Sequence, residues 1–430
     1  MFKESRYVTP NGSSSPLNPC NDSGNPCALQ RALDAAFPGD DIVLEPGDYN
    51  QANTLAVTKT LSIHGVQGQP RPRLIFSAAY ADSVRVESPN TTIRYLEIQS
   101  FGVGLRLKGR SDTARELAVR TGAPINNCTG QADGVTFVDT VCSSSGIALY
   151  LVSPGQGQNL HFNVRNVTAV GSRGIVASGN DCACGVDATV VNTIARGPAN
   201  DVEASANAPA TAKVFLSYSN FDRNHSAEFG NALVWNSGNN QSDLPRFVNA
   251  PPPFSNRGTD FHQAPDSPTI NAGQTDDANN GPFDFEGDPR TLGAATDIGA
   301  DELMPLAPRP TSTGGPPALT SAFLGAAAFA LDPRAPAAKP AAVRRLAYGT
   351  IINYTLSKPA RVKFTVEDSR SRLVGRFAQQ GRPGPNSKPW SGRIGKRKLS
   401  PGTYRVALVA SDAHGKRSRP KRLSFRVVGL

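Results

Sequence analysis

Glu97-Ile98-Gln99-Ser100-Phe101-Gly102 is echoed by Asp139-Thr140-Val141-Cys142-Ser143-Ser144, by Asn166-Val167-Thr168-Ala169-Val170-Gly171 and by Asn192-Thr193-Ile194-Ala195-Arg196-Gly197, with a worn copy from Asn220. Each phrase opens on a polar, hydrogen-bonding residue. The starts lie 42, 27, 26 and 28 residues apart. The first interval reads as two steps of about 21 with a degenerate copy near Glu116, inside the period range of repeat architectures. Eight to ten residues after each start comes another apolar position: Leu105, Ile147, Ile175 and Val202. A unit this short cannot bury an apolar face alone, but it can when stacked on its neighbours. The repeat therefore predicts an all-β fold, a parallel β-helix in which each repeat is one coil of a solenoid.

Outward from the repeat, the chain divides. Ala28 to Phe37 is the one convincing helix, with Leu29, Ala32, Leu33 and Phe37 at helical spacing and Pro38-Gly39-Asp40 ending it. Placed just before the first coil, it would cover the solenoid's open end. Early coils are expected at Leu55–Val57 with Thr60–Ile63, and at Leu74–Phe76 with Val84–Val86. Loops at Thr121–Gly134 and Ser153–Gln158 would build a binding face. Phe247-Val248 reads as a last strand and Pro251–Asn280 as loop. The solenoid and its closing segment are expected over 1–302, a Pro-rich linker over 303–317 and a separate β-sandwich over 318–430. Alternation marks sandwich strands at Ile351–Leu356, Val362–Val366, Tyr404–Val409 and Leu423–Val427.

Charge supports the division. Residues 1–317 carry 22 Lys+Arg against 31 Asp+Glu, and residues 318–430 carry 23 against 4. Halves of opposite sign imply different partners or mutual attraction. Gly (40) and Pro (35) favour turn-rich β structure over helix. The longest apolar run, Ala318–Leu331, is too short and too interrupted to span a bilayer. The six cysteines suggest local disulfides in an oxidising compartment, with Cys20–Cys27 and Cys128–Cys142 as reasonable pairs and Cys182–Cys184 a tight, strained one. No zinc-ligand spacing and no nucleic-acid motif is present. The chain begins Met1-Phe2-Lys3-Glu4-Ser5 without an apolar leader. The expectation is an extracellular or cell-surface protein whose export signal is not visible in this chain.

Three segments resemble known families. Tyr7-Val8, Ala32–Ala36 and Ile42–Tyr49 resemble the start of right-handed parallel β-helix proteins of the pectin-lyase-like fold. Ser267-Pro268-Thr269-Ile270-Asn271-Ala272-Gly273 with Asp297-Ile298-Gly299-Ala300-Asp301-Glu302 resembles the end of the choice-of-anchor Q domain, from which Thr269, Asn271 and Asp301 depart mildly. Tyr354–Ala360 with Leu399–Tyr404 resembles small Ig-like domains of secreted proteins. The resemblance implies an extracytoplasmic or surface protein, and the leading expectation is a secreted or surface-associated adhesin or scaffold with polysaccharide or an anionic cell-wall polymer as partner. The alternative is a polysaccharide lyase or glycoside hydrolase. Polygalacturonases of this fold carry ordered Asn-Thr-Asp, Asp-Asp, Gly-His-Gly and Arg-Ile-Lys motifs, whereas Asp276-Asp277 and Ile63-His64-Gly65 here stand outside that order. Pectate lyases set an Arg or Lys base beside calcium-bound Asp, and Arg106, Lys108 and Arg110 lie near Glu97 in sequence.

Three residue sets are candidates for chemistry. Glu97, Glu116, Asp139, Asn166, Asn192 and Asn220 would stack in a polar column, with coils about 4.8 Å apart. Its acidic members, Glu97, Glu116 and Asp139, are the candidates for acid–base work or calcium. The competing reading is an internal amide ladder with solvent-facing acids paired to Arg94, Arg115 or Arg120. Asp276, Asp277, Asp284 and Asp288, with Asn279 and Glu286, suit calcium by type but not by EF-hand spacing, and would otherwise close turns. In the basic tail, Lys396, Arg397, Lys398, Lys416 and Arg417 would attract a polyanion, and Trp390 would stack on a sugar or a base; the competing reading is a solvated charge run or docking onto the acidic solenoid. The five histidines form no triad.

Overall fold

The computed structural model of the chain describes residues 3–155, 157–180, 184–249, 260–304, 316–330, 347–394, 397–412 and 415–429. It forms two compact units, Met1–Met304 and Pro305–Leu430. Most of the expected linker, residues 305–315, lies outside the described residues, as does Cys182.

The first unit is a parallel β-helix with three ladders. One climbs from Ser5–Ser13 through Asp41–Leu44, Ser62–Gly65, Thr92–Arg94 and Thr113–Arg115 to Ala232–Gly238, each strand pairing in parallel with the next coil's. The others climb from Asp48–Gln51 and from Leu55–Val57. Side chains alternate across each strand, so every coil sends one set inward. Ile42, Ile63, Ile93, Ala114, Phe137, Val164, Val190 and Leu216 stack in register as one such column, all buried. Cys128 and Cys142 sit on different ladders of successive coils, and their disulfide links the two coils within the buried core. Cys20–Cys27 ties the segment before the helix.

Several expectations shift by small amounts. The capping helix is Leu29–Ala35, with Leu29, Ala32 and Leu33 buried, whereas Phe37 is 55% exposed beyond its end. Leu149, not Ile147, takes the register position between Cys128 and Ile175. The loop expected at Thr121–Gly134 contains the strand Cys128–Gly130, and Arg73–Val86 is one strand where two were expected. Ser226–Gly230 and Ala232–Gly238 extend the solenoid past Asn220. Within the expected loop Pro251–Asn280, residues 251–259 lie outside the described residues, but Asp260–Gln263 is a strand, paired antiparallel with Phe247–Asn249, and Asp277–Asn280 is a helical turn.

The largest difference is the course of residues 260–304. This segment folds back along the solenoid. Gln274 exchanges hydrogen bonds with Asn192, at 2.6 and 2.9 Å. Asn280 accepts from Arg165 at 2.8 Å, Ala300 N–H donates to Thr168 at 3.0 Å, and the Phe285 carbonyl accepts from Arg71. Gly299 sits at φ 111°, where an L side chain is strained, and a Cβ there would lie 2.8 Å from Ile194 Cδ1, so glycine lets the segment lie close on the coil. Phe261, Phe285 and Ala300 bury against Val141 on a ladder face that would otherwise meet water.

The second unit packs a three-stranded sheet (Leu319–Leu324, Thr350–Leu356, Gly384–Trp390) and a six-stranded sheet around one core. Strands appear at Thr350–Leu356, Ala360–Asp368, Gly402–Ser411 and Lys421–Val428, where alternation placed them, and also at Leu373–Gly381 and Gly384–Trp390.

The interior stack makes one measurement decisive for the fold. Phe137→Ala removes a fully buried ring between Ala114 and Val164, and is expected to cost about 3–5 kcal/mol in denaturant-unfolding stability. A loss under about 1 kcal/mol would mean that Phe137 does not pack in a closed interior.

Candidate functional site

The polar column is real, but its membership differs from the phrase alignment. Glu116, Asp139, Asn166 and Asn192 occupy equivalent positions on successive coils. All four have positive φ, between 50° and 54° for Glu116, Asn166 and Asn192 and 47° for Asp139. They form the left-handed corner of each coil, a conformation that Asn and Asp tolerate because their short side chains bond locally. Tyr95 and Tyr218 hold the corner at its two ends, with φ 54° and 48°. Glu97 instead pairs with Ala118, and Asn220 bridges Ile194, each two residues past the corner.

The corner residues do not face solvent. The return segment covers them, and all four are buried. Asn192 Nδ2 donates to Asn166 Oδ1 at 3.0 Å, and Asn166 Nδ2 donates to Asp139 Oδ1 at 2.9 Å, so the amide ladder exists and ends on a carboxylate. The arginines pair one to one: Arg94 with Glu116 at 3.9 Å, Arg115 with Asp139 at 3.2 Å and Arg120 with Glu97 at 3.7 Å. Burial pushes the Asp139 carboxyl up to about 7, against the pull of Arg290 and Arg115. It raises Glu116 too, against Arg94, Arg115 and Arg71. Arg290, itself buried, donates to the carbonyls of Ala300 (2.8 Å), Asp297 (3.1 Å) and Gly299 (2.6 Å), and lies 3.7 Å from Asp139. Two of the three acidic candidates, Glu116 and Asp139, are thus walled off from any polymer.

Glu97 is the exception. It lines a cavity of about 360 Å³ with Arg71, Tyr95, Arg120, Phe261, His262 and Glu286, among others. The solenoid supplies one wall and the return segment the other. The Arg71 guanidinium lies over the rings of Tyr95 (5.0 Å) and Phe285 (5.3 Å), and that of Arg120 over Phe261 (5.5 Å). Both cations are thereby held by ring faces. Glu97 accepts from Gln99 at 2.8 Å. His262 stands between two carboxylates, Nδ1 toward Asp260 and Nε2 toward Glu286. The Glu286 bond raises its pKa to about 10 although burial opposes this, so the ring is an imidazolium at neutral pH and no general base. Arg106 and Arg110, near Glu97 in sequence, pair elsewhere, with Asp82 and Asp133.

The expected calcium set fits poorly. Asp284 Oδ1 accepts the backbone N–H groups of Glu286, Gly287 and Asp288 at 2.9, 3.0 and 2.9 Å, and Oδ2 accepts that of Glu302 at 3.0 Å. This is a turn-closing carboxylate with its lone pairs committed. Asp276 lies 3.8 Å from Arg165 and accepts from Asn279. Asp288 is largely shielded, and burial raises its pKa to about 6. The Asp277 side chain lies outside the described residues. Among the described residues, the group close enough to share a metal is His262, Glu286 and Asp301, within 4.8 Å, and here both ring nitrogens of His262 are hydrogen-bonded to carboxylates.

In the second unit, Trp390 is only 7% exposed and its Nε1 donates to the Arg393 carbonyl at 2.7 Å. It packs on Phe329, Phe377 and Phe425 and cannot stack on a sugar, correcting that expectation. Lys416 and Arg417 are exposed and Lys398 is half-buried. Lys396 lies outside the described residues, as does the side chain of Arg397.

Sequence reasoning missed Arg71, Asp260 and His262. The alternation Asp260-Phe261-His262-Gln263, outward then inward, was a strand signal hidden in an expected loop. No family model and no curated protein matches the chain. Among solved structures, the crystal structure of pectate lyase Pel9A is similar, with a TM-score of 0.35 and 16% identity over 70% of this chain and 97% of that one. Nothing about the chemistry rests on that likeness.

The return segment has a pH dependence of definite sign. Burial raises Asp139, Asp301 and Glu302 each to about 7. A group whose folded pKa lies above its unfolded value stabilises the fold below the unfolded value, and loses that contribution as pH rises through the folded one. His262 acts with the same sign over a higher range. Asp276, lowered by its bond from Asn279, acts oppositely only in acid. Amide exchange in 260–304, corrected for intrinsic rate, is therefore expected to speed up from about pH 5 to about pH 8. Slower corrected exchange at the higher pH would contradict this assignment.

Proposed function

We propose that the protein binds an acidic polysaccharide, with the cavity around Arg71 and Arg120 as its sugar site. The observation that carries the proposal is a concavity in which two guanidinium groups, each held on aromatic rings, stand beside hydrogen-bonding carboxylates. A sugar carboxylate suits the guanidinium forks, and ring hydroxyls suit Glu97, Asp260 and Glu286. Binding is favoured over catalysis because each of those acids already has a partner: Arg120 and Gln99 for Glu97, and His262 for Asp260 and Glu286. The presence of three carboxylates in one cavity keeps a lyase or hydrolase as the second reading.

The role is that of a secreted or surface-associated adhesin or scaffold. Two disulfides fit an oxidising compartment, and among the described residues no helix is long and apolar enough to cross a membrane. Membership in the choice-of-anchor Q group is supported by the way its two motif halves meet. Asn271 N–H donates to Asp297 at 2.6 Å and Ile298 N–H to the Thr269 carbonyl at 2.9 Å. The two-sheet second unit is compatible with an Ig-like assignment.

Calorimetry against a panel of acidic and neutral polysaccharides, with and without EDTA, tests the reading. Binding to acidic members alone is expected, unchanged by EDTA. Arg71→Ala is expected to weaken it at least about tenfold, the worth of one desolvated charge-assisted contact. Undiminished binding by that variant would reject the cavity, and release of unsaturated or reducing ends would establish the enzyme instead.

A further inference from the structure

The strands Lys421–Val428, Gly402–Ser411, Ala360–Asp368 and Leu373–Gly381 are successive neighbours in the six-stranded sheet, and the first three are interior. One face packs on the core. On the other, the register aligns Arg422 with Ala407, Ala407 with Thr365 and Thr365 with Arg376. Lys363 and Arg361 follow along their strand on one side, Arg405 and Arg426 on the other. These six cations are all exposed, and among the described residues none forms an ion pair. Glu367 is the one acid on this face of the four strands. Alternate residues on a strand lie about 7 Å apart and strands about 4.8 Å apart, so the cations form a band roughly 27 Å long and roughly 14 Å wide.

Like charges on one sheet face repel, and protection of sheet edges does not explain them, because most stand on interior strands. No aromatic side chain projects from this face of the four strands, so it offers no platform on which bases could stack, as single-stranded nucleic acids require. Between the cations stand Thr365, Thr403, Ser411, Ser424 and Gln380, whose hydroxyl and amide groups suit sugar hydroxyls.

We infer that this sheet face is a second glycan-binding surface, which holds a stretch of a linear carboxylated polysaccharide by charge. The choice of a carboxylated sugar chain rests on the reading of the cavity above, whereas the cationic band does not.

The test uses the full chain and alginate oligomers of two lengths, a dimer and one of about 20 residues, between about 50 and 200 mM salt. Replacing Arg361, Lys363, Arg405 and Arg422 together by Ser is expected to weaken binding of the long oligomer at least about tenfold at low salt and to flatten its salt dependence. Dimer binding should stay unchanged, and unchanged near-ultraviolet dichroism and fluorescence of Trp390, buried in the core of the second unit, reports that the variant is folded. Arg71→Ala should show the converse for the dimer, so failure of the cavity and failure of the face are separable. Wild-type affinity of the fourfold variant for the long oligomer would overturn the inference. So would equal or tighter binding of an oligothymidylate of matched charge by the native protein, lost in the same variant, which would mark the face as a nucleic-acid surface.

Discussion

Every coil of the solenoid must turn a corner, and from Tyr95 to Tyr218 it does so with one residue in the left-handed conformation. That constraint selects residues whose side chains are mostly polar, and stacking sets those side chains in a line. A line of buried polar groups is costly unless each finds a partner. Asn192, Asn166 and Asp139 bond along the line and are met from outside by Gln274, Asn280 and Arg290, whereas Glu116 has the Arg94 guanidinium 3.9 Å away. The return segment is the answer to the corner, and the cavity exists because that segment, having covered the corner, overhangs Arg71 and Arg120.

Arg290 shows how the balance is struck. A buried guanidinium alone would be strongly destabilising. Here three carbonyls of its own segment accept from it, and Asp139 supplies the nearby negative charge from the solenoid. The charge joins two parts of the chain that the backbone leaves far apart. The same economy appears in Asp284, whose carboxylate accepts three backbone N–H groups of its own turn and that of Glu302.

The solenoid, its helical cap and the Cys20–Cys27 and Cys128–Cys142 disulfides were legible because they are local or periodic. The register was legible only in part. Aligning coils by their polar first residue matched Glu97 to Asp139, whereas the backbone matches Tyr95 to Glu116, since a left-handed corner can also take tyrosine. Alternation in the second unit was readable, but whether Trp390 lay inside was not, because a single aromatic at a strand end carries no phase. The cavity was beyond local reasoning. Arg71 and Phe285 are 214 residues apart, and no periodicity links them.

A solenoid of this kind is normally a one-dimensional object, in which each coil knows only its neighbours and unravelling can begin at either end. The return segment adds contacts that skip coils, from Gln241 with Pro268 to Arg71 with Phe285. Fraying of the final coils would have to lift this clasp from the earlier ones as well. The clasp turns a stack of coupled springs into a single cooperative block, held shut along its length rather than only at its ends.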